Sequence, residues 1–199
     1  MVDNGNIITA IITSTATLLG VYLKDWLFPK LARQRLSVTK SNCYIELDKV
    51  CADIRDTINA KAVYIAYFHN GGHFINGVAM DKYTVVGEDY DISVTSYKRI
   101  FKDILVNNFS YLFHDLLVRN RHYITNVDTH KFQDKCYAEE LQQRNMKSAY
   151  TFIIKDPVKN TPLGFISLEY DKAEGFNIND EKYIWKNQNT IANLLNMNK

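Results

Sequence analysis

Hydrophobic positions divide the chain into an apolar N-terminal segment and a longer region of mixed periodicity. Between residues 5 and 23, Tyr22 carries the only ionisable side chain. A helix over these residues would be about 28 Å long, close to the hydrocarbon thickness of a bilayer. Pro29 follows shortly, and we expect the helix to stop there. The pattern therefore predicts one N-terminal transmembrane helix within residues 1–29.

Two other interpretations of this segment stay open. Threonines at positions 9, 13 and 17 are compatible with a buried core helix or an interfacial helix, and their spacing would also suit helix self-association into a homo-oligomer. A cleaved signal peptide is disfavoured because no Lys or Arg precedes the apolar run. Basic residues lie only after the span, and the positive-inside rule then predicts a single-pass membrane protein with its C-terminal domain in the cytoplasm. They are Lys24, Lys30, Arg33, Arg35 and Lys40.

Residues 30–40 form a basic juxtamembrane connector in this interpretation, and residues 41–199 form one domain. The periodicity after residue 41 alternates between helical and strand patterns. It predicts a helix to about residue 60, with Tyr44 and Leu47 in its inward stripe, and a strand over 62–68. Further on it predicts a strand over 80–86, helices starting near Ser96 and Ser110, a strand over 122–126, a helix over 137–144, strands over 147–155 and 163–170, and a final helix capped by Asn179.

This order of elements predicts an α+β fold in which helices flank an antiparallel sheet. The net charge of +2 is too small to indicate a nucleic-acid partner. Three cysteines are an odd number, and Cys43 and Cys51 lie too far apart on one predicted helix to form a disulfide. Free thiols in a reducing compartment are therefore expected.

The last seventy residues resemble the second half of a GAF domain. The resemblance lies in the run from Leu141 to Ile154, with Ser148 at the start of the penultimate strand, in Gly164 at the start of the last strand, and in the closing helix. The resemblance covers about residues 41–197 and implies a GAF/PAS-like fold with a cavity between the sheet and the helices on one face. GAF domains serve as small-molecule and dimerisation modules. No bilin-attachment cysteine, cyclic-nucleotide signature or sulfoxide-reductase cysteine set is present, so no cofactor is expected.

Two glycines after the strand over 62–68 predict a loop at residues 69–73 that exposes backbone N–H groups to a ligand. Tyrosines nearby in the sequence could line a pocket beside it, although such residues are more often core. The same loop could be a tight turn, and a metal site is disfavoured because two histidines four apart need a helix. The predicted ligand-binding residues are Tyr64, Tyr67, His69, Asn70, Gly71, Gly72, His73 and Tyr83.

Other polar residues carry no clear catalytic pattern. His114, Asp115, His122, Asp128 and His130 have irregular spacing and no nucleophile beside them, so surface positions on a helix and a loop are favoured.

These observations predict a membrane-anchored, non-catalytic GAF-like module that binds a small ligand or a protein partner at the cytoplasmic face. The strand leading into His69-Asn70-Gly71-Gly72 also resembles GAF-like proteins encoded by bacteriophages. An alternative is therefore a phage-type membrane or virion assembly component, in which the domain is a subunit interface. A third alternative is an enzyme that uses His69 or His73 for acid–base chemistry.

Overall fold

The computed structural model describes residues 19–24, 28–73 and 79–197. The chain divides into two compact units, Met1–Asn42 and Cys43–Lys199. Helix α1 covers Phe28–Ile58, so Pro29 lies in its first turn, where its missing N–H costs nothing. Residues 25–27 lie outside the described residues, so the expected end of the preceding apolar helix near Pro29 stays a prediction, whereas the basic segment 30–40 is helical.

The predicted transmembrane helix falls mainly on residues 1–18 and 25–27, which lie outside the described residues. None of the helices in the described part of the chain has the length and apolar character that a bilayer crossing requires. The membrane anchor thus stays a prediction from sequence.

Six strands form one antiparallel sheet in the order β3-β2-β1-β6-β5-β4. The strands are β1 Ala62–His73, β2 Ala79–Tyr90, β3 Ile104–Leu105, β4 Arg121–Ile124, β5 Ser148–Lys155 and β6 Pro162–Tyr170. The other helices are α2 Tyr97–Ile100, α3 Ser110–Arg119, α4 Lys135–Gln143 and α5 Ile178–Asn196, with a 3-10 helix at Val106–Phe109 before α3. The sequence prediction of a helix-flanked antiparallel sheet is confirmed.

Each face of the sheet has its own core, because successive strand residues point to opposite sides. On one side, Tyr64 and Phe165 pack with residues of α2, α3 and α4, and we call this the α2–α4 face. On the other side, Ile65 and Ile166 pack with residues of α1 and α5, and we call this the α1–α5 face. Strand β1 is buried on both faces from Ala62 to Ala66, as expected of a central strand.

The predicted loop at residues 69–73 was wrong, because β1 continues through both glycines to His73. Asn70 lies opposite Asp81, whereas His73 lies opposite Ala79, so β1 carries one extra residue between them. Gly71 and Gly72 therefore occupy a β-bulge, where a residue without a side chain adapts easily to the local kink. The antiparallel partner strand supplies backbone hydrogen bonds that a local sequence pattern does not reveal.

The structure differs from the sequence predictions in three smaller respects. The helix expected from Ser96 ends at Ile100, because Asp103 has a positive φ of 54° and Ile104 pairs with Tyr83 of β2. Asn177 rather than Asn179 caps α5, and Asp180 completes its capping box. On α1, Tyr44 was expected to point inward but is exposed, and the neighbouring Cys43 is buried instead.

Candidate functional site

The predicted ligand residues separate into three environments. Tyr64 and Tyr83 lie in the α2–α4 core and are only 6 % and 4 % exposed. The Tyr64 ring meets Tyr97 edge to face at 4.5 Å, and Tyr83 lies 5.3 Å from Phe165. Burial raises the pKa of both hydroxyls well above the usual value for tyrosine. These two tyrosines are core residues in the structure.

Tyr67 and His69 lie together on the opposite side of β1, where their rings stack at 6.4 Å. The Nε2 atom of His69 is 3.0 Å from the Thr84 hydroxyl and 3.5 Å from an Asp103 carboxylate oxygen. Both histidine contacts lie within the protein, so His69 has partners without a ligand.

His69 and Asn70 also line a groove of about 310 Å³ at the end of the β1–β2 hairpin. Its other walls are largely apolar and include Phe68, Phe113 and Leu117. Gly71 and Gly72 lie in the adjacent bulge, and the side chain of His73 falls outside the described residues. The structure thus brings part of the predicted site together but separates it from Tyr64 and Tyr83.

A second and more polar cleft of about 400 Å³ lies between α3, β4 and the start of α4. We call it the histidine cleft, because three of the chain's five histidines line it. It is lined by Tyr111, Leu112, His114, Asp115, Arg119, His122, His130, Lys131, Phe132, Gln133, Asp134 and Tyr137.

Asp134 holds the two helical walls of the histidine cleft together. It occupies the N-cap position of α4, yet its side chain does not cap that helix. Its carboxylate accepts hydrogen bonds from the backbone N–H groups of Tyr111 and Leu112, at 3.0 and 2.8 Å, in the first turn of α3. A negative group there also interacts favourably with the α3 dipole. One side chain therefore links the start of α4 to the first turn of α3.

His122 and Asp115 form an oriented pair within this cleft. The Nδ1 atom of His122 lies 3.0 Å from Asp115 Oδ2, and a guanidinium nitrogen of Arg119 lies 3.7 Å from Asp115 Oδ1. Because a carboxylate only accepts, Nδ1 of His122 donates to Asp115, which fixes the orientation of the ring. The pair has the geometry of an acid–base group or of a polar ligand contact.

His130 completes the histidine cluster. Its ring lies 6.3 Å from that of His122 and 4.6 Å from Phe132, which it meets edge to face. Burial and the neighbouring His122 lower the pKa of His130 below its ordinary value. Among the described residues, no group of three His, Cys, Asp or Glu side chains is arranged to hold a metal ion.

The irregular spacing of these histidines in the sequence did not predict that they share one cleft. Three of five histidines fall between positions 114 and 130, and this clustering was the available signal. The turn at Asn120, with a φ of 63°, folds β4 back along α3 and places His122 beside Asp115. Asp128 lies outside the cleft and pairs with Lys147 at 3.0 Å.

An ion pair lies next to the histidine cleft, inside the α2–α4 core. The Arg144 and Glu169 side chains are 6 % and 0 % exposed and approach to 2.9 Å. Arg144 also lies over the Tyr97 ring at 3.4 Å. Burial raises the pKa of Tyr137, and the Glu169 carboxylate raises it further. Tyr137 therefore lines the histidine cleft and lies close enough to Glu169 for its pKa to respond to that charge.

Comparison with known proteins supports the fold. No family model matches the sequence, and no curated protein matches it. Among solved structures, a far-red cyanobacteriochrome photoreceptor is 13 % identical with a TM-score of 0.61, covering 90 % of this chain and 99 % of that one. The phycoerythrobilin-bound GAF domain of a cyanobacterial phytochrome is 14 % identical with a TM-score of 0.60, covering 83 % and 92 %.

A type II free methionine-R-sulfoxide reductase from Thermoplasma acidophilum is also similar. It is 12 % identical with a TM-score of 0.56, and the match covers 79 % of this chain and 94 % of that one. At these identities the likeness establishes the fold and not the ligand. The protein has the fold of GAF domains, as the sequence resemblance predicted.

Proposed function

We propose that this protein is a non-catalytic sensory module of GAF fold that binds a small molecule in the histidine cleft. The observation that carries the proposal is the convergence of His114, His122 and His130 on one cleft of about 400 Å³. That volume lies within the range of about 300 to 1,000 Å³ typical of small-molecule sites. Two aromatic walls, Phe132 and Tyr137, provide apolar contact beside the polar groups.

Binding without turnover is proposed from the side chains that line the cleft. The Asp115–His122 pair can move a proton, but the described lining includes no Ser, Thr or Cys that could act as a nucleophile. The raised pKa of Tyr137 makes its phenolate scarce at neutral pH. A sulfoxide reductase is among the structures of similar fold, so turnover of any ligand found is the outcome to check.

The screen that tests this proposal is a thermal-shift assay on the full-length chain with amino acids, nucleotides, carboxylic acids and tetrapyrroles. A ligand at a hundred times its dissociation constant stabilises the folded state by about 2.7 kcal/mol. We expect the shift of a genuine ligand to shrink in His130→Ala and to persist in the control His69→Ala. Loss of the shift only in His69→Ala would place the ligand in the hairpin groove instead.

We also propose that residues 1–29 tether the domain to a membrane, with the domain on the cytoplasmic side. The uncharged run over residues 5–23 and the basic residues after it support this proposal. The full-length protein should stay in the membrane pellet after an alkaline wash. Release of intact protein into the supernatant would contradict the proposed membrane tether.

A further inference from the structure

We infer that the histidine cleft selects anionic small molecules and takes up a proton when it binds them. The inference rests on the proposed function, since it names the chemistry of the ligand for the same cleft. It starts from the charges that line the cleft. Arg119 and Lys131 are fixed cations, and Asp115 and Asp134 are fixed anions, so these four groups balance. The protonation state of the histidines then decides the sign of the net charge of the cleft.

The two carboxylates are already engaged within the protein. Asp134 accepts from two backbone N–H groups of α3, and Asp115 faces His122 and Arg119. A cationic ligand would have to compete with these contacts for the same oxygens. An anionic ligand would instead meet the exposed Lys131 side chain and the histidine rings. It would also meet the exposed guanidinium of Arg119, which approaches Asp115 only to 3.7 Å and carries further N–H donors.

Proton uptake follows from the surroundings of His130. His122 of β4 lies closest among the titratable groups, with its ring 6.3 Å away. The other titratable and charged groups that line the same cleft are His114, Asp115 and Arg119 of α3, Tyr137 of α4, and Lys131 and Asp134 of the segment before α4. Burial and His122 both disfavour its protonated form, which lowers its pKa in the empty cleft. A bound anion favours the protonated form and raises that pKa, so binding in the interval between the two values consumes a proton.

The sign of the pH dependence is therefore fixed. Affinity for an anion rises as the pH falls from the raised pKa of the complex to the lowered pKa of the empty cleft, because the proton that accompanies the ligand becomes easier to supply. If one proton is taken up for each ligand bound, the affinity changes by at most about tenfold per pH unit. Phe132 and Tyr137 also line the cleft, so the probes chosen for the test carry an aromatic ring.

The test uses two probes of similar shape and opposite charge, benzoate and benzylamine, with the full-length protein at constant ionic strength. Both probes keep their charge between about pH 6 and about pH 8. We expect the dissociation constant of benzoate to fall by roughly three- to tenfold from the higher to the lower pH. His130→Gln should flatten this dependence, whereas the control His69→Gln should leave it intact.

Three results would overturn the inference. If benzylamine binds the cleft more tightly than benzoate, the ligand class is wrong, although small-molecule binding in the cleft would stand. If benzoate binds with the same affinity at both pH values, proton uptake is wrong. If neither probe shifts the NMR signals of the cleft histidines and the thermal-shift screen also fails there, both this inference and the proposed function fail.

Discussion

Arg144 and Glu169 form a buried ion pair in the described core. Each is a charged side chain removed from water, and such groups are tolerated only when paired. Within the described residues, the Nε and Nη1 atoms of Arg144 and the Oε1 atom of Glu169 have no hydrogen-bond partner. Burial raises the pKa of Glu169, while Arg144 opposes that shift. The ionised state of Glu169 therefore depends on Arg144 and, after it, on Tyr97, which also opposes the shift.

We predict that Arg144→Met destabilises the protein by about 3 to 5 kcal/mol, because it leaves Glu169 buried without a counter-charge. The double variant Arg144→Met with Glu169→Leu should recover most of that loss, since an apolar pair avoids the desolvation of two ions. Urea-induced unfolding of the two variants and the wild type measures both effects. Equal destabilisation in the single and double variants would show that the pair is not what holds this part of the core.

Some structurally important residues could be predicted from the sequence, and others could not. Gly164 was picked out by the GAF resemblance, and the structure supplies its cause: a Cβ there would lie 1.9 Å from the Ala66 carbonyl oxygen. Ser148 was picked out likewise, and its hydroxyl donates to the Lys172 carbonyl at 2.8 Å. Arg144 and Glu169 gave no such signal, because their partnership joins the end of α4 to β6 and depends on the folded sheet.

At the scale of elements, Asp134 connects α3 to α4 through backbone contacts. The α3 helix has no side-chain cap of its own, since Phe109 occupies its N-cap position. Asp134 supplies the missing acceptor from a distant part of the sequence. A cap of this kind is worth about 0.5 to 2 kcal/mol. The α3 wall of the histidine cleft thus depends on Asp134, which belongs to the α4 wall.

We predict that Asp134→Ala lowers stability by about 1 kcal/mol and loosens the histidine cleft. The matched control is Asp128→Ala, which removes an exposed ion pair with Lys147 and should cost well under about 1 kcal/mol. Urea unfolding gives the stabilities, and hydrogen exchange of the Tyr111 and Leu112 amides reports the cap directly. Unchanged exchange of these two amides in Asp134→Ala would contradict the capping role.

Element types followed well from local periodicity, but element ends did not. Strands β5 and β6 and helix α5 were expected close to where they lie, because each has a long and uniform hydrophobic pattern. The β1–β2 hairpin runs past the predicted strand end at residue 68, since pairing with a neighbouring strand outweighs the local preference of two glycines. The short helix after Ser96 ends early for a similar reason, because β3 pairs with β2.

At the scale of the whole domain, the sheet separates two different kinds of surface. Its α1–α5 face is covered by long helices and an apolar core. Its α2–α4 face is covered by short segments, and these leave the histidine cleft at the side of an aromatic core. The ligand site expected around Tyr64 and Tyr83 is thus occupied by packed rings, and the polar opening lies between α3 and α4. A single sequence does not reveal this arrangement, because three separate segments build the cleft.

The central claim is that the ligand of this protein binds in the histidine cleft, and NMR of the histidine rings tests it most directly. The full-length protein, labelled with carbon-13 at histidine, would be titrated with the compound that gives the largest thermal shift. We predict that the signals of His114, His122 and His130 move together with one dissociation constant, while those of His69 and His73 stay in place. Movement of His69 or His73 alone, or saturation without a change at any cleft histidine, would contradict the account.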